Sequence, residues 1–112
     1  MAQDKEGIVA VITDGNFKDI VEKNSVVVVD CYADWCGPCK IISPLIDQLA
    51  LEYKSKIKFG KLNVDDNMDT AQSFDVRSIP TLLFFRGGKL VDRMIGVMPK
   101  SEIEKRLYNC IK

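Results

Sequence analysis

Two cysteines three positions apart, Cys36 and Cys39, hold the most chemistry per residue in this chain. They lie in the stretch Asp30-Cys31-Tyr32-Ala33-Asp34-Trp35-Cys36-Gly37-Pro38-Cys39-Lys40. A thiolate is a nucleophile, and two sulfurs at this spacing on a first helical turn share one face, close enough to bond with modest strain. The chemistry open to them is thiol–disulfide exchange. Half of a zinc site is an alternative, but structural zinc takes about four Cys or His ligands. This chain has no histidine and no second Cys-x-x-Cys. An inert buried pair is the third reading.

The elements that must hold the pair are legible on either side. Four consecutive valines, Val26 to Val29, lead in. An unbroken apolar run of this kind suits a central parallel strand covered on both faces. Ile41, Ile42, Leu45, Ile46 and Leu49 lead out at helical spacing. The dithiol therefore stands where a buried strand gives way to a helix. There the first N–H groups have no internal partner and the helix dipole is positive, which favours a thiolate. Cys36, nearer the helix start and behind an exposed Trp35, is the expected attacking sulfur. Cys39, one turn in and shielded, is the expected resolving sulfur. Gly37 keeps the approach to Cys36 open, and Pro38 fits the first turn, where its missing N–H costs little.

The remaining elements follow from periodicity. A short strand is expected over Ile8–Ile12, then a turn at Thr13–Asn16 and a helix through Phe17, Ile20 and Val21. The second strand runs from Val26 to Tyr32 and the dithiol helix to about Tyr53, kinked by Pro44, which deletes an internal hydrogen bond. A third strand lies within Lys56–Val64, and Asp65, Asp66 and Asn67 can cap a short helix through Met68, Ala71 and Phe74. Thr81–Phe85 and Leu90–Ile95 form a hairpin around Arg86-Gly87-Gly88-Lys89. A last amphipathic helix spans Pro99–Ile111. This order predicts an α/β fold with a mixed sheet, five strands in all, flanked by four helices.

Length and composition fit one domain, residues 1–112. Sixteen basic residues balance sixteen acidic ones, so no global field draws in nucleic acid or anionic lipid. The first ten residues show no leader pattern, and no apolar run approaches the ~20 residues of a spanning helix. These features predict a soluble, cytoplasmic chain without nucleic-acid or membrane partners. Without histidine, acid–base steps fall to carboxylates, lysines or the thiols.

Trp35-Cys36-Gly37-Pro38-Cys39-Lys40 after Val-Val-Asp, with Ile79-Pro80-Thr81 farther on, resembles the thioredoxin family. The resemblance runs from about Ile8 to Leu107. It implies the thioredoxin fold, with the dithiol at the carboxyl end of the middle strand. It also implies a protein-disulfide reductase, in which Cys36 attacks and Cys39 resolves. Asp30 is similar to the buried acid of that family, which takes the proton of the second cysteine; read without the family, it is equally a solvated strand-end carboxylate. Lys61 is a strand lysine that by resemblance tunes Asp30. Ile79–Pro80 is by default a trans bond, whereas the family implies a cis bond packed beside the dithiol. Trp35, Ile79, Pro80 and Gly96 are then substrate-binding residues, with Trp35, Gly96 and Pro80 forming a flat apolar rim; Trp35 as core is the alternative. No bound cofactor or metal is implied. Electrons are expected from NADPH through a separate thioredoxin reductase. The implied clients include ribonucleotide reductase, peroxiredoxin and methionine sulfoxide reductase, and the chain is expected to act as a monomer in electron transport and cell redox homeostasis. Tyr32 and Cys31 depart from the commonest pattern, where Trp and Phe are frequent. Cys31 reads as a small buried hydrophobe; Cys110, on the apolar face of the last helix, reads as core or partly exposed packing, with an intermolecular disulfide as the alternative. A binding module with an incidental dithiol is the reading from a different class.

Overall fold

The computed structural model describes residues 8–112. Residues 1–7, on which the expectations of a single domain over 1–112 and of no leader pattern partly fall, lie outside the described residues. In order, the elements are β1 (Val9–Val11), α1 (Phe17–Lys23), β2 (Val26–Tyr32), α2 (Gly37–Glu52), β3 (Lys58–Asn63), α3 (Met68–Ser73), β4 (Thr81–Arg86), β5 (Lys89–Ile95) and α4 (Lys100–Ile111). The expected strands over 8–12 and 56–64 are each trimmed at both ends. Pro99 caps the last helix rather than joining it, and α2 continues through Pro44.

The strands form one sheet in the order β1-β3-β2-β4-β5. β1, β3 and β2 are parallel, while β4 runs antiparallel to β2 and β5 antiparallel to β4. The hairpin between them turns on Gly87 and Gly88, both at positive φ, the backbone a two-residue loop demands.

The valine run feeds two cores. Val26 and Val28 face Ile42, Ile46 and Leu49 of α2 and Ile103 and Leu107 of α4. Val27, Val29 and Cys31 face the opposite way, into a core shared with Val21 of α1, Leu83 and Phe85. Phe85 meets Phe17 and Phe74 edge-on there, and Phe17 and Phe74 are tilted against each other, with ring centroids 5.2–5.3 Å apart. Each valine therefore packs, and none is left for solvent. Strand alternation also sends Asp30 to the α2 side, the side that carries the dithiol.

The capping of α3 differs from expectation. Asn67 occupies the N-cap position without a side-chain cap bond. Instead the Asp14 carboxylate accepts from the Thr70 N–H at 2.8 Å and from the Thr70 hydroxyl at 2.6 Å. These bonds hold the Asp14 carboxyl below its ordinary range. Asn67 returns the tie, its Oδ1 accepting from the Asp14 N–H at 2.9 Å. The loop after β1 thus caps a helix more than fifty residues away in sequence.

Candidate active site

Strand β2 delivers the chain to the carboxyl edge of the sheet, and α2 begins at once. Cys36 is the N-cap residue of α2, in extended backbone conformation, with Gly37 and Pro38 in the first turn. Its Sγ accepts from the Cys39 N–H at 3.2 Å, so a sulfur takes the place an N-cap oxygen usually fills. Cys36 and Cys39 are joined as a disulfide, with Cα atoms 5.3 Å apart. Both sulfurs are therefore committed to each other, the redox reading of the pair. A side chain at Gly37 would meet nothing within 4 Å, so the approach over the first turn is open as expected.

The expected contrast in shielding is absent in this disulfide form. Cys36 is 3% exposed and Cys39 4%. Their surroundings differ instead. Cys36 Sγ faces the Ile79 carbonyl at 3.8 Å, toward the loop before β4. Cys39 lines a cavity of about 180 Å³ behind the helix, together with Asp30, Tyr32, Lys40, Ser43 and Lys61. One sulfur borders the loop before β4, and the other borders the cavity that holds the acid.

Asp30 is 5% exposed, not a solvated strand end. Its Oδ1 has no hydrogen-bond partner and is sealed from solvent. Loss of hydration pushes its carboxyl from the ordinary 3.8 up to about 7; Lys61 partly offsets this and Asp47 reinforces it. Lys61 stands directly across from Asp30 in the β2–β3 register. Cys31, the next residue, is 1% exposed and packs into the opposite core, where burial first and the Asp30 charge second push its thiol up to about 12. Cys110 is also buried, on the inner side of α4, and burial raises its thiol above the ordinary range. Tyr32, in the position where Trp is frequent, lines the cavity, and its phenol is raised chiefly by burial and then by Asp34.

The Ile79–Pro80 bond is cis, not the default trans. Pro80 is buried and its carbonyl accepts from the Gly96 N–H at 2.8 Å. This corrects the expected rim: Pro80 is tied beneath the surface by Gly96, and Gly96 and Ile79 are half-buried. Exposed apolar surface comes from Trp35, 72% exposed, and from Val97 beside Gly96, 42% exposed. Trp35 is not core. Its indole Nε1 donates to Asp65 Oδ2 at 2.8 Å. Asp65, by sequence a helix-cap candidate, is thereby tied to the tryptophan beside the dithiol. No local signal marks it, because the bond joins two loops thirty residues apart.

The family model described as Thioredoxin matches residues 8–109. A thioredoxin from Porphyra purpurea is 48% identical over 104 residues, covering 92% of this chain and 97% of that protein. A thioredoxin from Pyropia yezoensis is 46% identical over the same shares of the two chains. Among solved structures, a mutant thioredoxin from Halobacterium salinarum superposes with a TM-score of 0.85 at 29% identity, covering 91% of this chain and 89% of that one.

Proposed function

The chain belongs to the thioredoxin family and is a thiol–disulfide oxidoreductase, a protein-disulfide reductase working through Cys36 and Cys39; from that premise we propose how its residues divide the reaction. In the reduced form Cys36 attacks as the thiolate, favoured at the N-cap of α2 by unpartnered N–H groups and the helix dipole. It displaces one sulfur of a client disulfide as a thiolate, which takes up a proton, and a mixed disulfide forms through Cys36 Sγ. Cys39 then gives its proton to the Asp30 carboxylate. The resulting thiolate attacks Cys36 Sγ, breaks the mixed disulfide and releases the second client thiolate, which is protonated in turn. Two electrons pass from the dithiol to the client, and the Cys36–Cys39 bond closes.

The observation that supports this division is the cavity shared by Cys39 and Asp30. A carboxyl raised to about 7 exchanges its proton near neutral pH, where general acid–base transfer is most effective. Lys61 tunes that carboxyl. Gly37 and Pro38 keep the first turn short and open. Trp35, Ile79 and Gly96 offer an apolar and backbone surface to an extended client segment, with Pro80 packed beneath it. Because Pro80 has no N–H, the client pairs with the backbone before it.

The same reading extends to the electron source and location. A separate thioredoxin reductase drawing on NADPH would regenerate the dithiol, and ribonucleotide reductase, peroxiredoxin and methionine sulfoxide reductase are the client types proposed. Among the described residues no helix is long and apolar enough to cross a membrane. The cytoplasm is the proposed location; one relative, from Chlamydomonas reinhardtii, is a chloroplastic M-type thioredoxin, which makes a plastid stroma the competing site.

A trapping experiment tests the division of labour. Cys39→Ser should accumulate mixed disulfides with clients through Cys36, identifiable by mass spectrometry, while insulin reduction by dithiothreitol loses its catalysis. Full insulin-reducing activity in Cys36→Ser would overturn the assignment of the nucleophile.

A further inference from the structure

At the end of the sheet opposite the dithiol lies a second, more polar cleft of about 250 Å³. The end of α1, the start of β2 and the turn from α2 into β3 wall it, and Lys23, Lys54, Lys56 and Lys58 line it. Ser25 and Ser55 add two hydroxyls. The whole chain is formally neutral, so this is a local concentration of one sign. Like charges held together repel by about 1 kcal/mol per pair at ~4 Å even in water, a cost an anion in the cleft would reverse.

The lysines have no evident structural duty. Lys23 pairs with Asp19 at 3.1 Å, but both side chains are mostly exposed, and such a pair holds little. Among the described residues Lys54, Lys56 and Lys58 enter no ion pair. Nor are they needed to close the adjoining helices. The Tyr53 N–H donates to the Leu49 carbonyl at 2.9 Å, and the Lys56 and Ile57 N–H groups both donate to the Tyr53 carbonyl at 2.9 Å. At the end of α1, Asn24 Nδ2 donates to the Ile20 carbonyl at 2.9 Å. The helix ends are closed by backbone and amide, leaving the ammonium groups unspent. Lys58 is nonetheless held in place: it is half-buried and lies across from Val27 in the β2–β3 ladder.

We propose that this cleft binds a polyvalent phosphoryl anion, a di- or triphosphate chain. Ammonium groups recognise charge density, whereas planar recognition of a single carboxylate is the work of guanidinium, and no arginine lines the cleft. The volume is below that of ordinary drug-sized pockets, so a short phosphate chain fits the space better than a large organic ligand. The hydroxyls of Ser25 and Ser55 can donate to its oxygens. The β4–β5 hairpin adjoins the cleft through the Gly87 N–H, which donates to the Ser25 carbonyl at 3.0 Å, and exposed Lys89 extends the positive surface.

The test is titration of the full-length oxidised protein with inorganic tripolyphosphate at physiological salt, followed by amide chemical shifts. The expected result is saturable binding, half-complete on the order of 1 mM or below, with shifts concentrated at residues 23–26 and 54–58. Lys56→Gln/Lys58→Gln should weaken it at least tenfold, and the exposed pair Lys54→Gln/Lys56→Gln gives the same readout without touching a half-buried side chain. The charge-matched Lys18→Gln/Lys105→Gln should leave it unchanged. A nucleoside triphosphate should bind no more than marginally tighter, because the phosphate chain is what is recognised. Unsaturable shifts scattered over all lysines, equal weakening in the charge-matched control, or binding of the nucleotide but not tripolyphosphate would overturn the proposal.

Discussion

Asp30 and Cys31 are neighbours on one strand, both sealed from solvent, and they meet opposite fates. Burial disfavours the charged form of both and raises their pKa values, to about 7 and about 12. Asp30 opens into a cavity it shares with Cys39 and Lys61, so its proton has somewhere to go. Cys31 packs among Val29, Leu62 and Leu83, with no group to exchange with near neutral pH. Burial alone therefore makes a shifted group, and a connecting cavity makes a useful one. One residue step, which reverses the face of a strand, separates the two outcomes.

The largest effect that would sharpen this contrast is expected at Asp30. Asp30→Asn removes the proton acceptor, and resolution of the mixed disulfide should slow by about 100-fold, read by rapid acid quench of a single turnover. The same substitution should stabilise the fold. Because the folded carboxyl is raised above its unfolded value, the folded state keeps a proton that the unfolded chain has lost. Stability contributed by the neutral acid is thus full below about 4, falls as pH rises toward about 7 and is gone above it. Asp30→Asn should abolish that decline, a gain of at most about 4 kcal/mol at pH 8, measured by denaturant titration at several pH values. An unchanged pH dependence would break the assignment of Asp30 as the raised group.

At Cys31 the effect should be smaller and of a different kind. Cys31→Ala leaves a small void in a close-packed core and should cost about 1 kcal/mol without altering the pH profile or the insulin-reduction rate by more than about twofold. A loss of activity beyond the loss of stability would give Cys31 a role that its apolar surroundings do not. The smallest change is expected at Lys61. Lys61→Met removes the charge that restrains Asp30, so the Asp30 midpoint should move upward from about 7, followed by carboxyl carbon shifts in NMR. A downward move would mean that Lys61 does not act on Asp30 through its charge.

Much of the dithiol site was legible in the order of residues. The valine run, the Cys-Gly-Pro-Cys turn and the following helical period mark a strand-to-helix junction, because each is a local pattern with a local physical cause. Residues coupled across loops were not legible. Asp65 reached Trp35, and Asp14 replaced Asn67 as the cap of α3, since both bonds depend on how the loops at the sheet edge come together. The burial of Pro80 is set the same way: a proline before a strand reads as surface, and the packing of its loop against Gly96 across the sheet edge buries it.

The sequence by itself determined the dithiol, its helix and the elements that deliver it, because spacing and periodicity act between residues close along the chain. Only the tertiary structure decided the sheet order, the alignment of Lys61 with Asp30 and the cavity that joins Asp30 to Cys39. Those features depend on which strands lie side by side and on how much water the packed helix excludes, and neither is encoded in any one segment.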